Sequence, residues 1–146
     1  MYSRSRASAA TLALTASLLT ASLTMPPAMA HHSVDASFDK ATLVRLDGVV
    51  DRIEWVNPHM LFGLDVTQAD GTQLHWTVET AAPNALIRFG LSREFIQAGE
   101  RIAIEAWAAL DGSPRAHLRV LRYEDGRVIE FPEDRWSSGS VTILQR

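Results

Sequence analysis

Residues 60–79 read MLFGLDVTQADGTQLHWTVE, and their spacing decides the fold. Met60, Phe62, Leu64 and Val66 fall on one side of an extended chain, with Gly63 and Asp65 on the other, the two-residue period of a half-buried strand. Ala69-Asp70-Gly71 turns the chain, and Leu74, Trp76 and Val78 repeat the pattern against Gln73, His75, Thr77 and Glu79. The stretch is therefore a β-hairpin closed by an Asp-Gly turn. Upstream, residues 43–55 form a long β-type run in which Val44 and Leu46 are out of phase with Val49, Ile53 and Trp55. A bulge near Gly48 restores the phase and curls the strand. Downstream, Pro83 opens a short helical pattern through Leu86, Ile87 and Phe89 that Gly90 stops, and residues 92–96 add a further turn before Gly99. Ile102, Ile104 and Ala106 begin a fourth strand reaching Ala109, Asp111-Gly112 turns it, and Ala116, Leu118 and Val120 make a fifth.

Three strands, a helix and two strands is the order of an OB-like β-barrel, in which a long curled first strand is shared between the sheet halves and the helix plugs one end. The fold class is all-β with one short helix, five- to six-stranded. An open β-sandwich is the alternative, but it does not need a helix at that place. Residues 128–131 extend the last strand, and residues 141–144 add an edge strand in the tail.

The first thirty residues form a separate unit. Arg4 and Arg6 give a positive start, residues 9–23 are an apolar stretch of Ala, Leu, Ser and Thr, and Ala28-Met29-Ala30 supplies small-residue cleavage positions. This is the pattern of a secretory signal peptide cut after Ala30. A transmembrane helix is the rival reading, but the stretch is short, diluted by hydroxyls and interrupted by Pro26-Pro27. The domains are then a signal peptide (1–30), a barrel domain (31–131) and a C-terminal tail (132–146). The expected location is periplasmic or secreted, with no membrane span in the mature protein.

Loss of Arg4 and Arg6 takes the formal net charge from −3 to −5, which leaves no basic footprint for nucleic acid. The chain has no cysteine, which excludes disulfides, thiolate metal sites, a lipoprotein anchor and covalent c-type haem.

His31-His32-Ser33, Phe38-Asp39, Trp55-x-Asn57-Pro58-His59, Trp76-x-x-Glu79, Pro83-Asn84-x-Leu86, Gly99 and Asp111-Gly112 together resemble a family of secreted bacterial proteins that carries only a domain-of-unknown-function label. The resemblance covers the mature chain to about Gly126. It implies export and a small β-barrel, and it brings no activity and no catalytic residues.

The residues themselves point to copper. Cleavage after Ala30 frees an amino group on His31, which can bind through that amine and its own Nδ1. A second imidazole in trans then completes a nitrogen set suited to Cu(II). His59, following Asn57-Pro58, is the choice for that imidazole, since proline and the extended residue before it give it a defined direction. His32 assists or substitutes, Asn57 and Glu79 orient His59 from behind, and His75 and His117 are further candidates on polar strand faces. The bland reading is that a loop histidine caps backbone groups and that the His-His start is an accident of cleavage. A Cu(I) version built from Trp55, His59 and Met60 is weaker. Met1, Met25 and Met29 leave with the leader, so Met60 is the only mature methionine, and its phase with Phe62 makes it a core residue.

The competing class is a metal-free binding module, or an accessory subunit of an exported redox complex. It would dock an envelope protein, peptide or glycan near Asn57 to Met60 and Trp107. Trp55 and Trp76 belong to the interior, with each indole N–H finding a carbonyl, whereas Trp107 is out of phase with Ile102, Ile104 and Ala106. With Trp136, Trp107 offers an aromatic surface. Glu54 and Glu79 at neighbouring strand ends have the outfit of a glycosidase pair, but such carboxylates more often pair with arginines such as Arg52 or Arg88. No nucleophile elbow, phosphate loop, zinc-protease helix or dinucleotide fingerprint is present, and catalysis is not expected.

Overall fold

In the computed structural model, which describes residues 34–131 and 142–144, the long β-type run is a single strand, β1 (Phe38–Glu54). From Phe38 to Val49 it pairs antiparallel with β4 (Arg101–Ala109), and from Val49 to Glu54 with β2 (Leu61–Thr67). One strand therefore serves both sheet halves, as the sequence order requires. β2 returns against β3 (Gln73–Glu79) in unbroken register, from Leu61 opposite Glu79 to Thr67 opposite Gln73. The turn between them is closed by Gln68 N–H to Thr72 O (2.8 Å) and Gly71 N–H to Gln68 O (2.9 Å).

β4 pairs with β5 (Arg115–Tyr123), and β5 meets β3 in parallel through Thr77–Arg115, Val78–Ala116 and Glu79–His117. This last contact turns the sheet into a ring of five strands in the order β1-β2-β3-β5-β4, the OB-like arrangement. An open sandwich has no such closing pair. β6 (Val128–Glu130) does not extend β5 but folds back on it through the Gly126 turn, and β7 (Thr142–Leu144) adds to β6 as an edge strand.

The inside of the ring is apolar. Phe62, Leu64 and Val66 of β2, Val78 of β3, Ile102, Ile104 and Ala106 of β4 and Ala116, Leu118 and Leu121 of β5 are all buried. The helix α2 (Pro83–Arg88) plugs one end with Leu86, and a four-residue turn of helix, α1 (Val34–Ser37), precedes β1. Proline begins α2, where its missing N–H costs nothing, and Gly90 ends it at φ 85°. There the N–H groups of Gly90 and Leu91 bond the carbonyls of Ile87 and Leu86, a Schellman closure. The turn expected at residues 92–96 is a 3-10 helix, Arg93–Phe95, and the Tyr123 hydroxyl donates to the Phe95 carbonyl and ties it to β5.

The phase change in β1 is real but is placed differently. Val44, Leu46, Gly48 and Val50 share the inner phase, and the register with β2 slips between Val50 and Ile53, after which Ile53 and Trp55 face the core. A second slip lies between Asp39 and Leu43 against β4. Gly48 is not the bulge: a Cβ there would sit 2.5 Å from the Asp65 carbonyl oxygen, so glycine is what lets β1 pass over β2.

Candidate functional site

The strand ladder builds the site. Leu61 is opposite Glu79, and the ladder runs on past the strand ends through Thr80 N–H to Met60 O (2.9 Å) and Met60 N–H to Ala81 O (3.0 Å). That continuation carries residue 59 towards residue 81, so Glu79, two positions back, is its diagonal neighbour, and His59 Nδ1 makes a short contact with the Glu79 carboxylate. The Asn57–Pro58 peptide just before it is cis. Hydrogen bonding to Glu79 raises the His59 pKa above its ordinary value against the opposing effect of partial burial. Burial pushes Glu79 up, but the bond from His59 and the charges of His59, His117 and Arg115 outweigh it and hold the carboxyl below the usual range. With Nδ1 committed to the carboxylate, Nε2 is the nitrogen left for a ligand, the arrangement by which a carboxylate orients a metal-binding histidine.

Beside this pair, across the parallel junction, Glu79 is in register with His117, and His117 with Trp107. His117 is on the outer face but 2% exposed, covered by the Phe38 ring at 5.5 Å and stacked on Trp107 at 5.8 Å. Desolvation holds it at about 4, against the pull of Glu79, with the charges of His59, Arg119 and Lys40 adding to the depression. Val34 packs on the same group with Phe38, Trp107 and Ala109.

His75 makes a separate cluster further along β3. Its Nδ1 is 2.7 Å from Asp65 Oδ1 and 3.9 Å from Asp51 Oδ2, and its ring lies over Gly63, where a Cβ would come within 2.7 Å of Cε1. Among the described residues no group of three or more His, Asp or Glu side chains comes together to hold a metal ion.

The structure thus brings together His59 and Glu79 and does not bring Asn57 to them. Asn57 is exposed on the loop, and the orienting contact comes from Glu79 because the β2–β3 ladder places it there. His31, His32 and Trp136 lie outside the described residues. Met60 and Trp107 are not a binding surface: Met60 is 0% exposed in the core, and Trp107 is 7% exposed because α1 and the start of β1 lie over the outer face. His117 is likewise not an open ligand candidate. Glu54 and Glu79 do not flank a cleft. Residue 54 is opposite Leu61 and Leu61 opposite Glu79, so β2 runs between them, and Glu54 pairs with Arg52 at 3.1 Å. Trp76 packs against the core, yet its buried Nε1 has no hydrogen-bond partner among the described residues. Asp51, Asp65 and Phe38 took no part in the sequence reading of the site. The alternation of β2 and β3 was the available signal for the Asp65–His75 pair, since outward residues of a hairpin face each other across the strands.

A family model described as a family of unknown function (DUF6152) matches residues 18–118. No curated protein matches. Among solved structures, the mitochondrial single-stranded DNA binding protein of S. cerevisiae is similar, with a TM-score of 0.43 and 11% identity over 56% of this chain and 91% of that one.

Proposed function

The chain belongs to that family of unknown function, and from this premise we propose that it is an exported protein whose mature form binds Cu(II). Cleavage after Ala30 frees the His31 amine, which binds with its own imidazole. His59 supplies the imidazole in trans through Nε2, and His32 assists. The observation that carries this reading is the clamp of Glu79 on His59 Nδ1. A solvent-facing loop histidine has little reason to be held by a half-buried carboxylate unless its other nitrogen is to be aimed. Nitrogen ligands of this kind suit Cu(II) above the other available divalent ions.

The metal-free module drew on residues 57–60 and Trp107 as its contact surface; Met60 and Trp107 are buried, which leaves it the exposed loop at Asn57 and Pro58. The test is a Cu(II) titration of the chain beginning at His31, with electron paramagnetic resonance on the wild type, the His59→Ala variant and a form carrying one residue before His31. The expected result is a one-to-one site whose nitrogen signature changes in both altered forms. Weak binding that is indifferent to both changes overturns the copper reading and leaves a partner-binding barrel.

A further inference from the structure

We propose that the protein associates with a second copy of itself through the open edge of β1, residues 42–46 of the two copies pairing antiparallel about a two-fold axis at Val44. β4 pairs along one edge of β1 from Leu43 to Val49, and β2 takes the other edge only from Val49 onward. Before Val49, no strand among the described residues lies along that second edge. β2 veers away there and leaves a groove lined by Asp47, Asp65, Thr67 and Gln73. A strand edge without a neighbour presents a row of N–H and C=O groups on which another strand can build.

The side chains report the same opening. Leu43 is 47% exposed, and the side chains of Arg45 and Asp47 are 79% and 66% exposed. Val44 and Leu46 share the inner phase with Val50, yet they are only half-buried where Val50 is 1% exposed. Their cover is incomplete because the sheet stops beside them.

Register and charge select a second copy, and one alignment of it. Two-fold pairing of a strand with itself sets residues of one phase opposite each other about a single central residue. An axis at Arg45 brings two guanidinium groups face to face, and an axis at Leu43 sets Asp39 against Asp47; like charges directly opposite are destabilising. An axis at Leu46 runs Leu43 into Val49 of the other copy, whose edge β2 already holds. The axis at Val44 has none of these faults. It sets Val44 on Val44, Thr42 on Leu46 and Leu43 on Arg45, so the half-buried apolar side chains of the inner phase cover one another. The contact is small, which makes the pair a weak, concentration-dependent dimer.

The chain has no cysteine, so single introduced thiols report the register. The chain beginning at His31, kept metal-free with a chelator, is expected to rise from monomer to dimer mass in a sedimentation series that reaches millimolar concentration. Val44→Cys is expected to be joined to its own copy by a short thiol-specific crosslinker. Thr42→Cys and Leu46→Cys are each expected to stay unjoined alone, because their two copies lie ~13 Å apart along the strand, and to be joined when mixed. Monomer mass throughout overturns the proposal. So does a dimer in which Val44→Cys is not joined, or in which Thr42→Cys or Leu46→Cys alone is joined as readily. The chelator keeps this test apart from the copper reading, which neither outcome touches.

Discussion

At the scale of the residue, the metal-free protein should reveal its two kinds of histidine through pH. His59 has a raised pKa when folded, so its contribution is complete below 6.5 and is lost as pH rises through the raised value. Glu79 has a lowered one, so its contribution is complete above 4.5 and is lost as pH falls through the lowered value. The pair therefore stabilises most between 4.5 and 6.5. With the His59 side chain 35% exposed, solvent screening limits this to about 1 kcal/mol. Urea unfolding of wild type minus Glu79→Gln should show that plateau falling off on both sides, and a flat difference would contradict it. His117 behaves in the opposite sense. It is held neutral to about 4, so the native state loses stability as pH falls from 6.5 towards that value. The full loss is roughly 3 kcal/mol. His117→Leu is expected to flatten this limb, and an unchanged fall in stability would show that other groups carry it. Of these residues, His59 and Glu79 were legible as partners because both flank one hairpin. The burial of His117 was not, because its cover comes from residues about eighty positions away in the chain.

At the scale of the element, β1 depends on a glycine at the point where it crosses from β4 to β2. A Cβ at residue 48 would meet the Asp65 carbonyl carbon and oxygen at 3.0 and 2.5 Å, and backbone cannot step aside as a side-chain tip can. Gly48→Ala is expected to cost about 1–3 kcal/mol, in the range of overpacked core positions. Gly90→Ala tests a different mechanism, since nothing lies within 4 Å of its Cβ and the cost is purely that of φ 85°. Thermal melts of both variants should rank Gly48→Ala as the more damaging, and equal melting points would remove the close-approach account. The elements were read well from sequence because alternation and Gly or Pro punctuation are local signals. The one bulge expected, near Gly48, lies at Val50/Ile53 instead, and the slip at Asp39/Leu43 had no counterpart in the sequence pattern, because a bulge is defined by the partner strand.

At the scale of the molecule, charge and closure act together. The outer side of the β1–β2–β3 sheet carries Asp47, Asp51, Asp65 and Glu79, and the arginines beside them are paired with carboxylates: Arg101 of β4 with Asp47 at 2.6 Å, Arg52 with Glu54 at 3.1 Å and Arg45 with Glu105 at 3.6 Å. Such a face repels a phosphate backbone. Anisotropy titration with a single-stranded oligonucleotide at physiological salt is expected to show no binding, and a complex that weakens steeply with salt would overturn that expectation. The order of strands and helix, the apolar lining of the ring, the missing thiols and the acidic balance were determined by the sequence alone, because periodicity and composition are written along the chain. Tertiary structure decided the rest: that β5 meets β3 and closes the ring, that Trp107 is covered, and that Glu79 stands between His59 and His117. Those outcomes depend on which strands become neighbours, and pairing between distant segments leaves no period in either one.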